Sequence, residues 1–146
     1  MKKNVTRADI PNLVKTELIP RLKTHRIFTF TGSLGAGKTT TVKELLSQCG
    51  ITEPVTSPTF TYVNTYQAPS GCTFHHFDLY RLETIGAFVA AGFDELLAQQ
   101  DAYCLIEWPA CISELLQHPP LNQQVCSISI SYDPAHENLR LFHITP

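Results

Sequence analysis

An α/β fold, built on a mostly parallel central sheet with antiparallel strands added by a C-terminal hairpin, is predicted by three observations on the 146-residue sequence. Segments of strand character alternate with segments of helical spacing through the first half of the chain. "AYCLIE", residues 102–107, is a continuous apolar run of the kind carried by parallel strands covered on both faces. The tail holds "VCSISISY" and "LRLFHI" on either side of a polar stretch from Asp133 to Asn138, which reads as an antiparallel hairpin.

Along the chain, Ile10, Leu13, Val14, Leu18 and Leu22 fall at helical spacing, with Asp9 placed to cap, Pro11 tolerated in the first turn and Pro20 set to end or bend the helix. "RIFTFTG" is a short strand running into glycine. "KTTTVKELLSQCG" is a helix that turns Val42, Leu45, Leu46 and Cys49 inward and stops at Gly50. "TSPTFTYVNTY" reads as a proline-punctuated loop entering a β-branched and aromatic strand, "APSG" as a turn, and "CTFHHFDLY" as the next strand. Residues 83–100 are partly helical, with breaks at Gly86 and Gly92. Pro109 opens a last helix over "ACISELLQH", which stops before Pro119. Cys126, Ile128, Ile130 and Tyr132 share one face of the hairpin's first strand. No repeat, low-complexity stretch or linker divides the chain, so one domain over residues 1–146 is expected.

Charge is unevenly distributed. Residues 1–43 hold nine Lys or Arg against Asp9 and Glu17, whereas the remainder has only Arg81 and Arg140 against eleven acids. A large nucleic-acid-grasping surface on the later part is disfavoured by that balance. No apolar run approaches the roughly 18 residues of a membrane helix, and the basic start has no apolar core behind it, so neither a membrane span nor a secretory signal is expected. Five scattered cysteines fit reduced thiols in the cytoplasm.

"TGSLGAGKTT", residues 31–40, carries the chemistry. Gly32, Gly37, Lys38 and Thr39 form G-x-x-x-x-G-K-[ST] between a strand and a helix, the context a phosphate-binding P-loop requires. Glycines, with Gly35 inside the loop, let the amides of Ser33, Leu34, Gly35, Ala36, Gly37, Lys38, Thr39 and Thr40 turn inward as an anion cradle at a helix N-terminus. Lys38 is placed to reach β- and γ-phosphates, and the Thr39 hydroxyl to meet Mg²⁺. ATP and Mg²⁺ are therefore the expected ligands. Two carboxylates end strands, where α/β sheets gather ligands: Glu107 closes "AYCLIE" and Asp78 closes "HHFD". Both are candidates for holding the metal or orienting the attacking water. In "SPTF", Pro58 extends Ser57, leaving Ser57 and Thr59 on a loop able to fold over a γ-phosphate. Cys72, His75 and His76 match no common zinc spacing, and alternation sends the two histidines to opposite faces.

A GTPase is disfavoured because the chain lacks N-K-x-D and has no lysine after Lys43. A small-molecule or nucleoside kinase would need lid arginines, and only Arg81 and Arg140 lie downstream. A small ATPase or ATP-driven switch fits better, with a kinase or a non-hydrolysing nucleotide-dependent regulator as the alternatives.

"GSLGAGKTT", "TSPTFTYVNTY", "HHFDLYRL" and "LIEWP", in that order and spacing, resemble the bacterial TsaE (YjeE) family over about residues 27–110. The resemblance implies a P-loop ATPase that assists the TsaB–TsaD pair in threonylcarbamoylation of adenosine 37 in tRNAs reading ANN codons, touching tRNA only through that complex. It implies Lys38 on the phosphates, Thr39 and Glu107 on Mg²⁺, Asp78 on the metal or switch region, and Ser57 and Thr59 on the mobile loop. Tyr80, Arg81 and Trp108 also fall on family motif positions, for the site or for partner docking. Two positions depart from the family pattern: Ser33 stands where the family has Asp, and the N-terminal segment offers only Thr6 as the threonine that approaches the nucleotide.

Overall fold

The computed structural model describes residues 1–146. Seven strands form one sheet in the order β1 (Lys2–Thr6), β7 (Leu139–Thr145), β6 (Val125–Tyr132), β2 (Ile27–Thr31), β5 (Ala102–Glu107), β4 (Thr73–Asp78) and β3 (Val63–Gln67). The four central strands, β6, β2, β5 and β4, run parallel, and antiparallel strands flank them on both sides. This is the α/β class that the sequence predicts.

Helices cover the two faces of the central strands. On one face lie a helical stretch beginning with α1 (Ile10–Leu13) and the long α2 (Lys38–Gln48). Val14, Leu18, Val42, Leu45 and Leu46 pack there against Phe28, Phe30, Leu105 and Ile128. On the other face, α3 (Ile85–Ala90), α4 (Phe93–Ala98) and α5 (Ser113–Gln117) bring Phe88, Phe93, Leu97 and Leu116 against Ile27, Phe77, Cys104 and Ile106. Strands β2 and β5 are thus buried from both sides, which is why β5 reads as a continuous apolar run and why even the threonine in the middle of β2, Thr29, is buried. The five thiols are unpaired; Cys104 and Cys126 sit in the core, where burial pushes them up to about 12 and about 11. No helix is long and apolar enough to cross a membrane.

Several local expectations change. Of the two outcomes expected at Pro20, an end or a distortion of the first helix, the structure has the second: the chain widens to a π-turn over Val14–Leu18, with Ile19 N–H donating to Val14 O, then tightens to a 3₁₀ turn over Ile19–Lys23. That rearrangement accommodates a residue with no N–H to donate. Asp9 makes no side-chain cap; its carboxylate instead accepts from the Thr6 hydroxyl at 2.5 Å. Gly86 lies inside α3, which is capped by the Thr84 hydroxyl accepting from Ala87 N–H at 3.1 Å, so only Gly92 (φ 76°) breaks the segment. In the C-terminal hairpin, Cys126, Ile128 and Ile130 face the core as their alternation requires, but Tyr132 is exposed at the strand's end. The first hairpin strand, β6, joins the parallel centre beside β2.

Candidate functional site

The glycine-rich connection crosses the carboxyl end of the sheet between β2 and α2. Gly32 has φ 145° and is pressed against the backbone of β6: a Cβ built there would stand 2.2 Å from Ile130 O. Only glycine permits that crossing. Gly37 (φ 112°) is the left-handed residue from which α2 starts, with no side-chain cap. Replacing Gly32 by Ala should destabilise the fold by at least about 3 kcal/mol, because strain and a backbone clash combine. Gly71→Ala, at φ 90° with nothing within 4 Å, should cost only about 1–2 kcal/mol. Denaturant midpoints of the two variants test the contrast; equal shifts would count against the backbone crossing.

A cleft of about 370 Å³ opens over the N-terminus of α2. The glycine-rich loop and the first turn of α2 line it with Leu34, Gly35, Gly37, Lys38, Thr39 and Thr40, and Ser57, Thr59, Asp78, Tyr80, Arg81, Glu107 and Trp108 complete the lining. The parallel register sets Asp78 of β4 directly beside Glu107 of β5, and Phe30 of β2 on the far side of Glu107. Both acids therefore reach the cleft from neighbouring strand ends, and both are buried.

Thr39, Glu107, Asp78 and Lys38 each have defined partners in the cleft. Thr39 Oγ1 donates to Glu107 Oε2 at 2.9 Å, and His76 Nε2 lies 2.8 Å from Glu107 Oε1. Asp78 accepts from the Ser57 hydroxyl through Oδ2 and from Tyr80 N–H through Oδ1 at 3.1 Å. Lys38 Nζ donates to the carbonyls of Gly32 (2.8 Å) and Ser33 (3.0 Å) and lies 3.9 Å from the centroid of the Trp108 ring. The indole is held over the loop by a left-handed turn (φ 58°) and by the Tyr80 ring, 4.8 Å away. Burial lowers the Lys38 pKa below its ordinary 10.5, while Glu107 and then Asp78 oppose that shift. An ammonium, two carboxylates and a hydroxyl at the N-terminus of a helix are a set of groups matched to a polyphosphate with a hard divalent cation.

Of the residues singled out from sequence, Lys38, Thr39, Ser57, Thr59, Asp78 and Glu107 converge on this cleft. Gly32 and Ser33 contribute carbonyls to Lys38, and Ala36 is buried beneath the loop. Thr6 ends β1 with its hydroxyl on Asp9 and does not line the cleft. A second, smaller hollow of about 280 Å³ shares Gly35, Gly37 and Thr40 with the cleft and is bounded by Arg7, Asn138 and Arg140. Two residues have places at the site that the sequence did not reveal. His76, weighed in the sequence only as a zinc ligand, is one, although its position two residues before Asp78 on the same strand face was a readable signal. Tyr132 is the other: its hydroxyl donates to Leu34 O at 3.3 Å and sits close above Gly35, while Arg140 stacks on its ring at 4.1 Å.

The Ser57–Asp78 bond ties the "SPTF" segment down, helped by Thr59 N–H donating to Ser57 O and Tyr62 N–H to Pro58 O. Ser57→Ala should raise amide exchange of residues 56–61 by about tenfold, the equivalent of ~1.4 kcal/mol for a lost bond to a charged acceptor. Unchanged exchange would mean the loop is held by something else.

Comparison with known proteins follows the same lines. The family model described as threonylcarbamoyl adenosine biosynthesis protein TsaE matches residues 7–140. The tRNA threonylcarbamoyladenosine biosynthesis protein TsaE of Rickettsia felis is 38% identical over 128 residues, covering 87% of this chain and 69% of that protein. The TsaE of Bacillus subtilis is 40% identical over 90 residues, covering 62% and 54%. Among solved structures, the crystal structure of Bacillus subtilis YdiB aligns with a TM-score of 0.70 at 28% identity, over 97% of this chain and 82% of that one.

Proposed function

The chain belongs to the TsaE family, and on that premise we propose that it is a Mg²⁺-dependent ATPase that serves tRNA threonylcarbamoyladenosine formation together with a TsaB–TsaD pair. The observation that carries the nucleotide part is the joining of Lys38, Thr39, Glu107 and Asp78 in one cleft over a loop whose backbone is shaped for phosphate. The partner and pathway part rests on family membership, and so does the expectation that tRNA is met only through the complex. A cytoplasmic location fits the five unpaired thiols.

In this reading the amides of residues 33–40 other than Ala36, whose N–H donates to Ser33 O at 3.2 Å, donate to β- and γ-phosphate oxygens. Lys38 leaves the carbonyls of Gly32 and Ser33 and follows the γ-phosphate, carrying positive charge to the oxygens where charge develops. Thr39 and Glu107 would hold Mg²⁺, which supplies charge neutralisation across the phosphates. Asp78 holds Ser57, so it governs the "SPTF" loop and, with it, closure over the γ-phosphate. The hollow beside Arg7, Asn138 and Arg140 lies on the loop's other flank and suits the nucleoside. Exposed Leu34 and Tyr80 line the cleft, and so does Arg81, which stacks 5.0 Å from the ring of the exposed Phe60. Loop ordering by nucleotide would rearrange these side chains, which gives a route from nucleotide state to partner affinity.

The deciding experiment measures phosphate release by the pure protein, alone and with TsaB–TsaD, beside a tRNA-modification assay. The reading requires free phosphate, stimulated by the pair, and modification that depends on this chain. Label from [γ-³²P]ATP on an acceptor molecule would indicate a kinase. Binding without turnover even in the complex would indicate a regulator. Affinity for the pair that does not respond to ATP would remove the switch.

A further inference from the structure

His76 is fully buried, and its Nδ1 has no hydrogen-bond partner. Its Nε2 lies 2.8 Å from Glu107 Oε1. A carboxylate oxygen only accepts, so the ring must donate from Nε2. A proton on Nδ1 instead would bury an N–H with no acceptor and set a nitrogen lone pair against the carboxylate. The contact geometry thus selects the Nε2–H tautomer.

The sheet register explains why this histidine and no other reaches Glu107. His76 pairs with Leu105 and Asp78 with Glu107, so His76 lies one pleat below Asp78, on the same face and diagonal to Glu107. His75 faces the other way, between the Thr65 hydroxyl and Gln99. Asp78 takes its own partners from Ser57 and the Tyr80 amide. The two oxygens of Glu107 are therefore divided. Oε1 is claimed from the interior by His76, and Oε2 faces Thr39 at the cleft.

We infer that His76 is a positioning residue for the cation site: by holding Oε1 it fixes the carboxylate plane and reserves Oε2, beside the Thr39 hydroxyl, as the oxygen turned toward a divalent cation. This rests on the reading of the cleft as a Mg²⁺–ATP site. Outer-sphere donors that orient a ligating carboxylate contribute to metal affinity without touching the metal.

The test is calorimetric titration with a non-hydrolysable ATP analogue, with and without Mg²⁺, on wild type, His76→Leu and His76→Gln. Leucine fills the space and donates nothing, whereas the glutamine amide can take the place of Nε2–H. The gain in affinity conferred by Mg²⁺ should fall by about tenfold in His76→Leu and return in His76→Gln, with Mg²⁺-free binding unchanged in both. Nitrogen-15 NMR of the wild-type ring should show the Nε2–H tautomer, and decides the matter if the leucine variant does not fold. A full Mg²⁺ gain in His76→Leu, or an Nδ1–H tautomer, overturns the inference and leaves the nucleotide reading intact. A wild type whose analogue binding is indifferent to Mg²⁺ overturns both.

Discussion

Lys38→Ala is expected to fold normally and to lose ATP turnover by about 10²–10³, the range found when a preorganised donor to developing charge is deleted. Of the two cationic side chains that line the cleft, Lys38 and Arg81, the ammonium is the buried one, and it lies where α2 begins. Its energetic position is unusual. It is nearly fully buried among carbonyls and an indole, and burial is the leading cause of its lowered pKa. A lysine whose folded pKa lies below its ordinary 10.5 is charged more readily in the unfolded chain. Between the folded value and 10.5 the unfolded state therefore holds more protons, and stability rises with pH across that alkaline window. Lys38→Met should remove this slope and leave the ligand-free protein at least as stable as wild type at pH 7. Thermal unfolding across pH 7–10.5 measures the slope, and phosphate release measures the catalytic loss. Wild-type turnover in a folded Lys38→Ala protein would end the P-loop assignment, and a steeply destabilised Lys38→Met would contradict the account of the buried ammonium.

The same residue shows what a sequence exposes and what it hides. Gly32, Gly37, Lys38 and Thr39 could be read directly because the phosphate cradle is made by consecutive backbone, so spacing alone encodes its geometry. Glu107 and Asp78 could be placed at the cleft because an apolar strand that ends in an acid can deliver it to only one edge of a parallel sheet. That the two acids stand side by side depends on the β4–β5 register, and that Glu107 meets His76 depends on it too. No local pattern states a register. Strand β1 escaped detection for a related reason. It is an edge strand with only Val5 buried, so "KKNVT" carries no alternation, and its pairing with β7 is a long-range event. The π and 3₁₀ turns around Pro20 were hidden because packing of Val14 and Leu18 on α2 outweighs proline's local tendency to end a helix. Thr6, singled out through the family resemblance, lies beside Asp9 and outside the cleft, while Arg7 and Arg140 bound the neighbouring hollow.

Glu107→Gln should separate nucleotide binding from hydrolysis. Wild-type Oε1 accepts from His76 and Oε2 from Thr39. Glutamine can keep its carbonyl oxygen toward His76 and turn its NH₂ toward Thr39, whose hydroxyl reverses and accepts. The fold is thereby preserved, Lys38 and the loop amides are untouched, and binding of an ATP analogue without Mg²⁺ should stay within a few-fold of wild type. What disappears is a negative charge beside Thr39, and with it both the cation's anionic partner and any capacity to take a proton from water. Turnover should fall by about 10²–10⁴. Glu107→Ala is a different experiment: it leaves the buried His76 N–H without an acceptor and should destabilise the fold by about 1–3 kcal/mol, so a loss of activity there confounds chemistry with structure. The decisive comparison is therefore analogue affinity and single-turnover rate in Glu107→Gln. Rapid hydrolysis in that variant would move the acidic role to Asp78, whose bonds to Ser57 and to the Tyr80 amide would then have to break before it could reach the cation or the attacking water.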